Sequence, residues 1–313
     1  MSDKHETTHQ IHIDADPNLV YGIIADAASW PHRFAPTIHV EQTSTGAGTE
    51  RLQIWAMANE QVKTWTSRRE LDPQARRVTF RQEVSSPPVA SMSGTWTAAS
   101  SPGGGTDLVL THEFTAVDDD PDNVAWITKA TNSNSETELT NIRNLADGWD
   151  QNNELTFSFE DSIEIAGPLE EAYDFLYDAG QWPARLPHVG ALELNEDVRN
   201  IQWMSMDTRT KDGSTHNTRS VRICFPGEKI VYKQLVTPSM MTVHVGTWAF
   251  ERLGDGVRVT SHHTVTLYEP AIRTVLGESG TVESAKTFIR NAAGGNSAAT
   301  LKLTKEYVEA RRV

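Results

Sequence analysis

Trp30-Pro31 returns as Trp182-Pro183, Gly94-Thr95-Trp96 returns as Gly246-Thr247-Trp248, and Phe80-Arg81-Gln82 returns as Tyr232-Lys233-Gln234, all at a displacement of 152 residues. Three matches in one order at one displacement point to a duplicated folding unit, and a chain of 313 residues accommodates two such units. Any fold proposed for one half must therefore serve the other. The units are expected at 1–152 and 158–313, joined near Gln151 to Ser158.

Each copy opens with period-two alternation, HQIHID at His9 to Asp14 and FEDSIEIA at Phe159 to Ala166, the pattern of a half-buried strand. Asp16-Pro17 and Gly167-Pro168 follow, and proline at the first helical position sacrifices no helical hydrogen bond. Val20, Ile23, Ile24 and Ala27 then form an apolar stripe that Ala172, Phe175, Leu176 and Ala179 repeat, so a short helix is expected in each half. Pro31 and Pro183 are expected to end these helices, biasing Trp30 and Trp182 away from helical geometry.

Successive strands come next. In the first half they are read at Thr49 to Ala58, Val62 to Glu70, Arg77 to Glu83, Met92 to Ala98 and Thr106 to Ala116, with Pro102 to Gly105 as a turn. The second half offers Ile201 to Thr208, Asn217 to Cys224, Lys229 to Leu235, Thr242 to Glu251 and Val257 to Tyr268. Each copy closes with a helix expected to begin near Asn134-Ser135 or Asn296-Ser297. Those starts differ by 162, so the second copy holds an insertion before its last helix, and Gly294-Gly295 is expected to break a preceding helical piece, Val282 to Ala292. The fold class is α+β, a curved antiparallel sheet wrapped around a long C-terminal helix, with room between them for an apolar ligand.

Composition excludes several functions. The 28 basic and 42 acidic residues leave a net charge of −14, which opposes an extended phosphate track, so nucleic acid is not an expected partner. Cys224 is the sole cysteine, no apolar run is long enough to span a membrane, and the reading is a protein of the reducing cytoplasm. His9 with His12, or His262 with His263, supplies no metal-ligand set, and no glycine-rich dinucleotide fingerprint is present; neither metal nor cofactor is expected.

The segments SWPHRF at Ser29 to Phe34, KTWTSRRELDP at Lys63 to Pro73, GTW in each half, NSETEL at Asn134 to Leu139 and NSAATL at Asn296 to Leu301 resemble the helix-grip (Bet v 1 or START-like) aromatase/cyclases of bacterial type II polyketide synthesis, in their didomain branch. The resemblance covers nearly the whole chain. It implies a cofactor-independent enzyme that takes a ketoreduced poly-β-ketone on acyl carrier protein, closes the first ring between C9 and C14 by aldol reaction, and dehydrates it to an aromatic ring. Transient association with other synthase components is implied too. A noncatalytic carrier of hydrophobic ligands and a structural subunit of a synthase complex are the competing readings.

Aldol closure needs a proton taken from carbon and a donor or cation where oxygen gains charge. Arg69 shares a strand face with Ser67 and Trp65 and matches the family's pocket arginine; the bland alternative is an ion pair with a carboxylate. Arg222 is its counterpart, with Thr218 in the place of Trp65. His112 shares a face with Leu110 and Phe114, as a proton shuttle or a satisfied core histidine. In the second half His263 is favoured as its equivalent, although a one-residue register change selects His262. Trp30, Phe34, Trp65, Met92 and Trp96, with Trp182, Met240, His244 and Trp248, are candidate substrate contacts, core packing being the alternative. The family's tyrosine seven residues after the Trp-Pro tryptophan is replaced by Thr37 and Val189, which removes that phenol from any mechanism.

Overall fold

A computed structural model describes residues 3–58, 60–209 and 215–312. The chain forms two compact units that divide between Gln151 and Asn152.

The first unit begins with β1 (His5–Ile13), whose side chains alternate between partly buried and exposed. Then come α1 (Pro17–Ala25), a single 3-10 turn, and the one-turn α2 (Trp30–Arg33). Six strands follow as a meander, β2 (Thr37–Gly46), β3 (Thr49–Ala58), β4 (Gln61–Asp72), β5 (Arg77–Gln82), β6 (Val89–Ser100) and β7 (Thr106–Ala116), before α3 (Pro121–Asp147) and α4 (Trp149–Leu155). The second unit repeats the plan with β8 (Thr156–Ile165), α5 (Leu169–Tyr177), α6 (Trp182–Arg185), β9 (Val189–Val198), β10 (Ile201–Arg209), β11 (Thr215–Phe225), β12 (Lys229–Val236), β13 (Met241–Leu253) and β14 (Gly256–Leu267). It adds α7 (Ile272–Leu276) before the closing helix α8 (Val282–Glu309).

Each unit has one seven-stranded sheet, β1-β7-β6-β5-β4-β3-β2 and β8-β14-β13-β12-β11-β10-β9, with antiparallel pairing throughout. The first strand returns to pair with the last, so the meander curls and its concave face receives the closing helix. Ile127, Thr131, Ser135, Leu139, Ile142 and Ala146 form the buried stripe of α3 at helical spacing, and Ile13, Val20, Ile23, Leu108 and Leu110 pack in the same core.

Several sequence expectations change. The closing helices do not start at Asn134 or Asn296: α3 starts after Asp120, whose carboxylate accepts from the amides of Asp122 and Asn123, and α8 starts at a capping box of Thr281 and Ser284. Gly294-Gly295 does not break α8. Arg290 folds over Gly294, where a Cβ would lie 2.0 Å from its Nη1, and its fork donates to Asp161 at 2.9 and 2.7 Å; the glycine makes room for a side chain. The insertion is the segment that contains α7.

Trp30 and Trp182 are also helical, at φ/ψ of −56/−36 and −59/−38. Pro31 and Pro183 start new single turns instead of ending α1 and α5, because each stands at a position that needs no amide donor. Pro168 is the N-cap of α5, one position before the first helical residue. β2 and β9 extend the strand set read from alternation; both lie at sheet edges and are largely polar in their outer halves.

Candidate functional site

The Trp-Pro corner and the candidate arginines form one device. The C-terminal carbonyls of α1 have no intrahelical donors. Trp30 Nε1 donates to Ile23 O at 3.1 Å, Arg69 Nη1 to Ile24 O at 2.9 Å, and Arg69 Nη2 to Ala25 O at 2.6 Å. The Arg69 guanidinium lies 5.1 Å from the Trp30 ring centre, and its Nε donates to Glu50 at 2.7 Å. Arg69 is only 4% exposed and burial pulls its pKa down, opposed by the Glu50 carboxylate. Every nitrogen is thus spent on the fold: Arg69 is a buried clamp on the end of α1, placed where a cation suits the helix dipole. The ion-pair alternative is the one the geometry displays.

The second unit repeats the clamp with less saturation. Trp182 Nε1 donates to Phe175 O at 3.3 Å and Arg222 Nη2 to Leu176 O at 2.6 Å, with the guanidinium 5.2 Å from the Trp182 ring. Glu50 pairs across the sheet with Arg69, whereas Gln202 pairs with Arg222. The carboxylate has moved one strand outward, to Glu196, which accepts from Gln202 Nε2 at 2.7 Å. Arg222, 1% exposed, keeps Nε and Nη1 without a partner among the described residues.

A single row across each sheet carries the remaining candidates. In the first unit register aligns Glu50, Arg69, Phe80, Gly94, His112 and Thr7. In the second it aligns Gln202, Arg222, Tyr232, Gly246, His263 and Phe159. The glycine of the GTW motif is required here: a Cβ on Gly94 would lie 2.5 Å from Phe80, and one on Gly246 would lie 2.4 Å from Tyr232. The aromatic ring lies over the glycine and reaches the histidine, Phe80 edge-on to His112 at 5.5 Å between ring centres.

In the first unit the candidate side chains around this row keep some exposure. Trp30, Trp65, Met92, Trp96 and His112 are only partly buried, and Phe34 packs edge-on to Trp30 at 6.3 Å. His112 Nδ1 is 3.5 Å from Ser135 Oγ on α3, and burial, with His9 nearby, pushes its pKa down to about 4, so it is neutral at pH 7. Thr7 Oγ1 and His9 Nδ1 on the neighbouring strand are buried without partners among the described residues. Glu138 stands three residues after Ser135 and four before Ile142, on the helix face turned toward the sheet. Its side chain keeps a large accessible surface, yet burial pushes its carboxyl up to about 7. Sequence reasoning passed over Glu138, although its helical spacing from Ser135 within NSETEL places it on the inner face.

The second interior is tighter. At the corresponding positions Trp182 is 6% exposed, Thr218 1%, His244 5%, Trp248 6%, His263 2%, and Thr300 replaces Glu138 at 3%. Trp182 and Trp248 belong to the main core cluster, and Met240 packs with Leu267, Ile272 and Ile289. His263 is the inward histidine, and His262 is the less buried neighbour. His263 Nδ1 meets His244 Nε2 at 2.9 Å and Tyr232 Oη at 3.1 Å, while its Nε2 meets Ser297 Oγ at 2.8 Å and Ser261 Oγ at 3.0 Å. Burial pushes His244 to about 4 and His263, also facing His244, to about 2; both are neutral. Thr37 and Val189 are buried where β2 and β9 begin. Among the described residues no group of histidine, cysteine or acidic side chains could hold a metal ion, and no helix is long and apolar enough to cross a membrane.

A tandem of such sheets gripping long helices, each with a histidine row facing the helix, defines a class. The family described as "Polyketide cyclase / dehydrase and lipid transport" matches residues 4–147 and again 156–309, and the chain belongs to it. The granaticin polyketide synthase bifunctional cyclase/dehydratase of Streptomyces violaceoruber is 42% identical over 306 residues, 97% of this chain and 94% of that one. The actinorhodin counterpart of Streptomyces coelicolor is 41% identical over 309 residues, 96% and 95%. Among solved structures, the di-domain ARO/CYC BexL of the BE-7585A pathway superposes with a TM-score of 0.88 at 45% identity, covering 97% of this chain and 99% of that one. The di-domain ARO/CYC StfQ of the steffimycin pathway gives 0.87 at 33%, with 98% and 99% covered. The tandem helix-grip architecture is therefore shared along the whole chain.

Proposed function

We propose that this protein is a polyketide aromatase/cyclase that folds a ketoreduced, acyl-carrier-bound poly-β-ketone, closes its first ring between C9 and C14, and dehydrates the product. The observation that carries this reading is in the first unit, where the neutral imidazole of His112 meets Ser135 of α3 and Glu138, whose carboxyl burial raises to about 7, follows one helical turn later. A carboxyl titrating near neutrality suits general acid–base work at physiological pH. Glu138 removes the proton from the carbon between two carbonyls, and His112, oriented by Ser135, donates a hydrogen bond to the ketone oxygen that gains charge. Trp30, Phe34, Trp65, Met92 and Trp96 hold the chain so that one carbanion meets one carbonyl. Arg69 and Arg222 act as positioning residues, because they fix the corner on which the tryptophans stand.

Closure and loss of water involve no net oxidation or reduction, so the proposed chemistry calls for no redox group. The names of the polyketide synthase relatives support partners among synthase components; the acyl carrier protein is the partner this reading requires, and a cytoplasmic setting suits the sole, buried Cys224. The saturated bonding of Arg69 favours a second reading, carriage of a hydrophobic chain without turnover. Adding the protein to a minimal synthase with its ketoreductase separates the two. Ring-closed aromatic product in place of shunt products is expected; an unchanged product profile contradicts the enzyme reading.

A further inference from the structure

Phe80 and Tyr232 occupy the same place in the two rows, each lying over a glycine and reaching toward a histidine. The second unit therefore differs from the first by a phenolic oxygen set 3.1 Å from His263 Nδ1. That nitrogen is oversubscribed. In one tautomer it has a single lone pair, and His244 Nε2, closer at 2.9 Å, donates to it; in the other it carries a single hydrogen, which His244 Nε2 accepts. Either way the Tyr232 hydroxyl hydrogen is left available to another acceptor. The first tautomer is preferred, since it leaves His244 Nδ1 as an unpaired acceptor, less costly than a buried unpaired donor. It also lets His263 Nε2 donate to Ser297 Oγ while Ser297 donates to Ala293 O at 3.1 Å.

The setting fits donation to a ligand. Tyr232 remains partly accessible, unlike His244 and His263; burial raises its phenol pKa, and the cross-strand Arg222, which has two unpartnered nitrogens, offsets part of that rise. The imidazoles around it stay neutral, so its hydroxyl suits an oxygen acceptor on the ligand.

Resting on the function proposed above, we propose that Tyr232 is a catalytic proton donor of the second unit, acting on the hydroxyl that leaves a cyclised β-hydroxy ketone. The substrate's enol loses its O–H proton to solvent as the carbonyl re-forms. The carbon–oxygen bond breaks, and the departing oxygen takes the Tyr232 proton and leaves as water. The phenolate, beside Arg222, recovers a proton from solvent. His263 and His244 are positioning residues for the phenol.

The test is Tyr232→Phe, the side chain that the first unit already accommodates, in the full-length protein with minimal synthase and ketoreductase, products being resolved by mass. The expected result is a rise of about 100-fold in ring-closed product that retains the water, the scale of a lost general acid. A wild-type ratio of hydrated to dehydrated product overturns the assignment, and so does loss of ring closure itself, which marks a packing role. A ring-fluorinated tyrosine at the same position keeps shape and hydroxyl while lowering the phenol pKa; a shifted pH profile for dehydration supports the donor, and an unshifted one overturns it. Wild-type protein that leaves the shunt products unchanged fails the parent reading instead.

Discussion

Arg69 and Glu138 exchange the importance that sequence alone assigns them. Arg69 was legible as an inward side chain from its spacing with Trp65 and Ser67, but not its partners, because Glu50, Ile24 and Ala25 reach it only through sheet register and the end of α1. Removing it leaves Glu50 buried without a cation, with only the Gln42 amide still donating to it, so Arg69→Ala is expected to cost about 3–5 kcal/mol in urea unfolding; a loss below 1 kcal/mol would contradict the clamp. Glu138 was hidden within a polar stretch, since period alone cannot tell an open inner face from solvent. Its carboxyl is raised from 4.5 to about 7, so the folded state keeps a proton that the unfolded chain has released. Stability should therefore fall as pH rises from 4.5 to 7. Glu138→Gln should remove that part of the decline, measured as unfolding temperature against pH; an identical slope in both proteins would show that the carboxyl titrates normally.

At the scale of elements, strands read well and corners read poorly. β7 falls at Thr106 to Ala116 as alternation indicates, because a half-buried strand writes its geometry directly into the sequence. The Trp-Pro corner misleads because the same proline chemistry that stops one helix also starts the next. Gly294-Gly295 misleads for a different reason: the helix absorbs the cost of glycine where Arg290 needs space to reach Asp161. The two glycines are separable, since a Cβ on Gly295 meets nothing within 4 Å. Gly295→Ala should stabilise the protein by about 1 kcal/mol, and calorimetry showing destabilisation would rule out an unbroken α8. Gly94→Ala should do the opposite, displacing Phe80 at a cost of about 1–3 kcal/mol.

Across the whole molecule, duplication supplied one scaffold twice and the interiors then diverged. The first carries an ionisable carboxyl on its closing helix; the second carries a neutral hydrogen-bonded histidine network beside the partly accessible Tyr232. The repeat was plain in the sequence, whereas the divergence lies in single exchanges, Glu50 for Gln202, Phe80 for Tyr232 and Glu138 for Thr300, whose meaning depends on register. One consequence concerns acid. His244 and His263, two groups against the single depressed His112 of β7, have folded pKa values below the ordinary histidine value of 6.5, so their contribution is present above 6.5 and is lost as pH falls toward 4 and below. Hydrogen exchange between pH 7 and 4 should therefore show β12 to β14 losing protection before β5 to β7.

The central claim is that proton transfer at Glu138 drives ring closure in the first unit, and single-turnover closure by Glu138→Gln tests it most directly. The predicted result is a rate about 100-fold or more below wild type, with folding at pH 5 retained. Ring closure at the wild-type rate would contradict it.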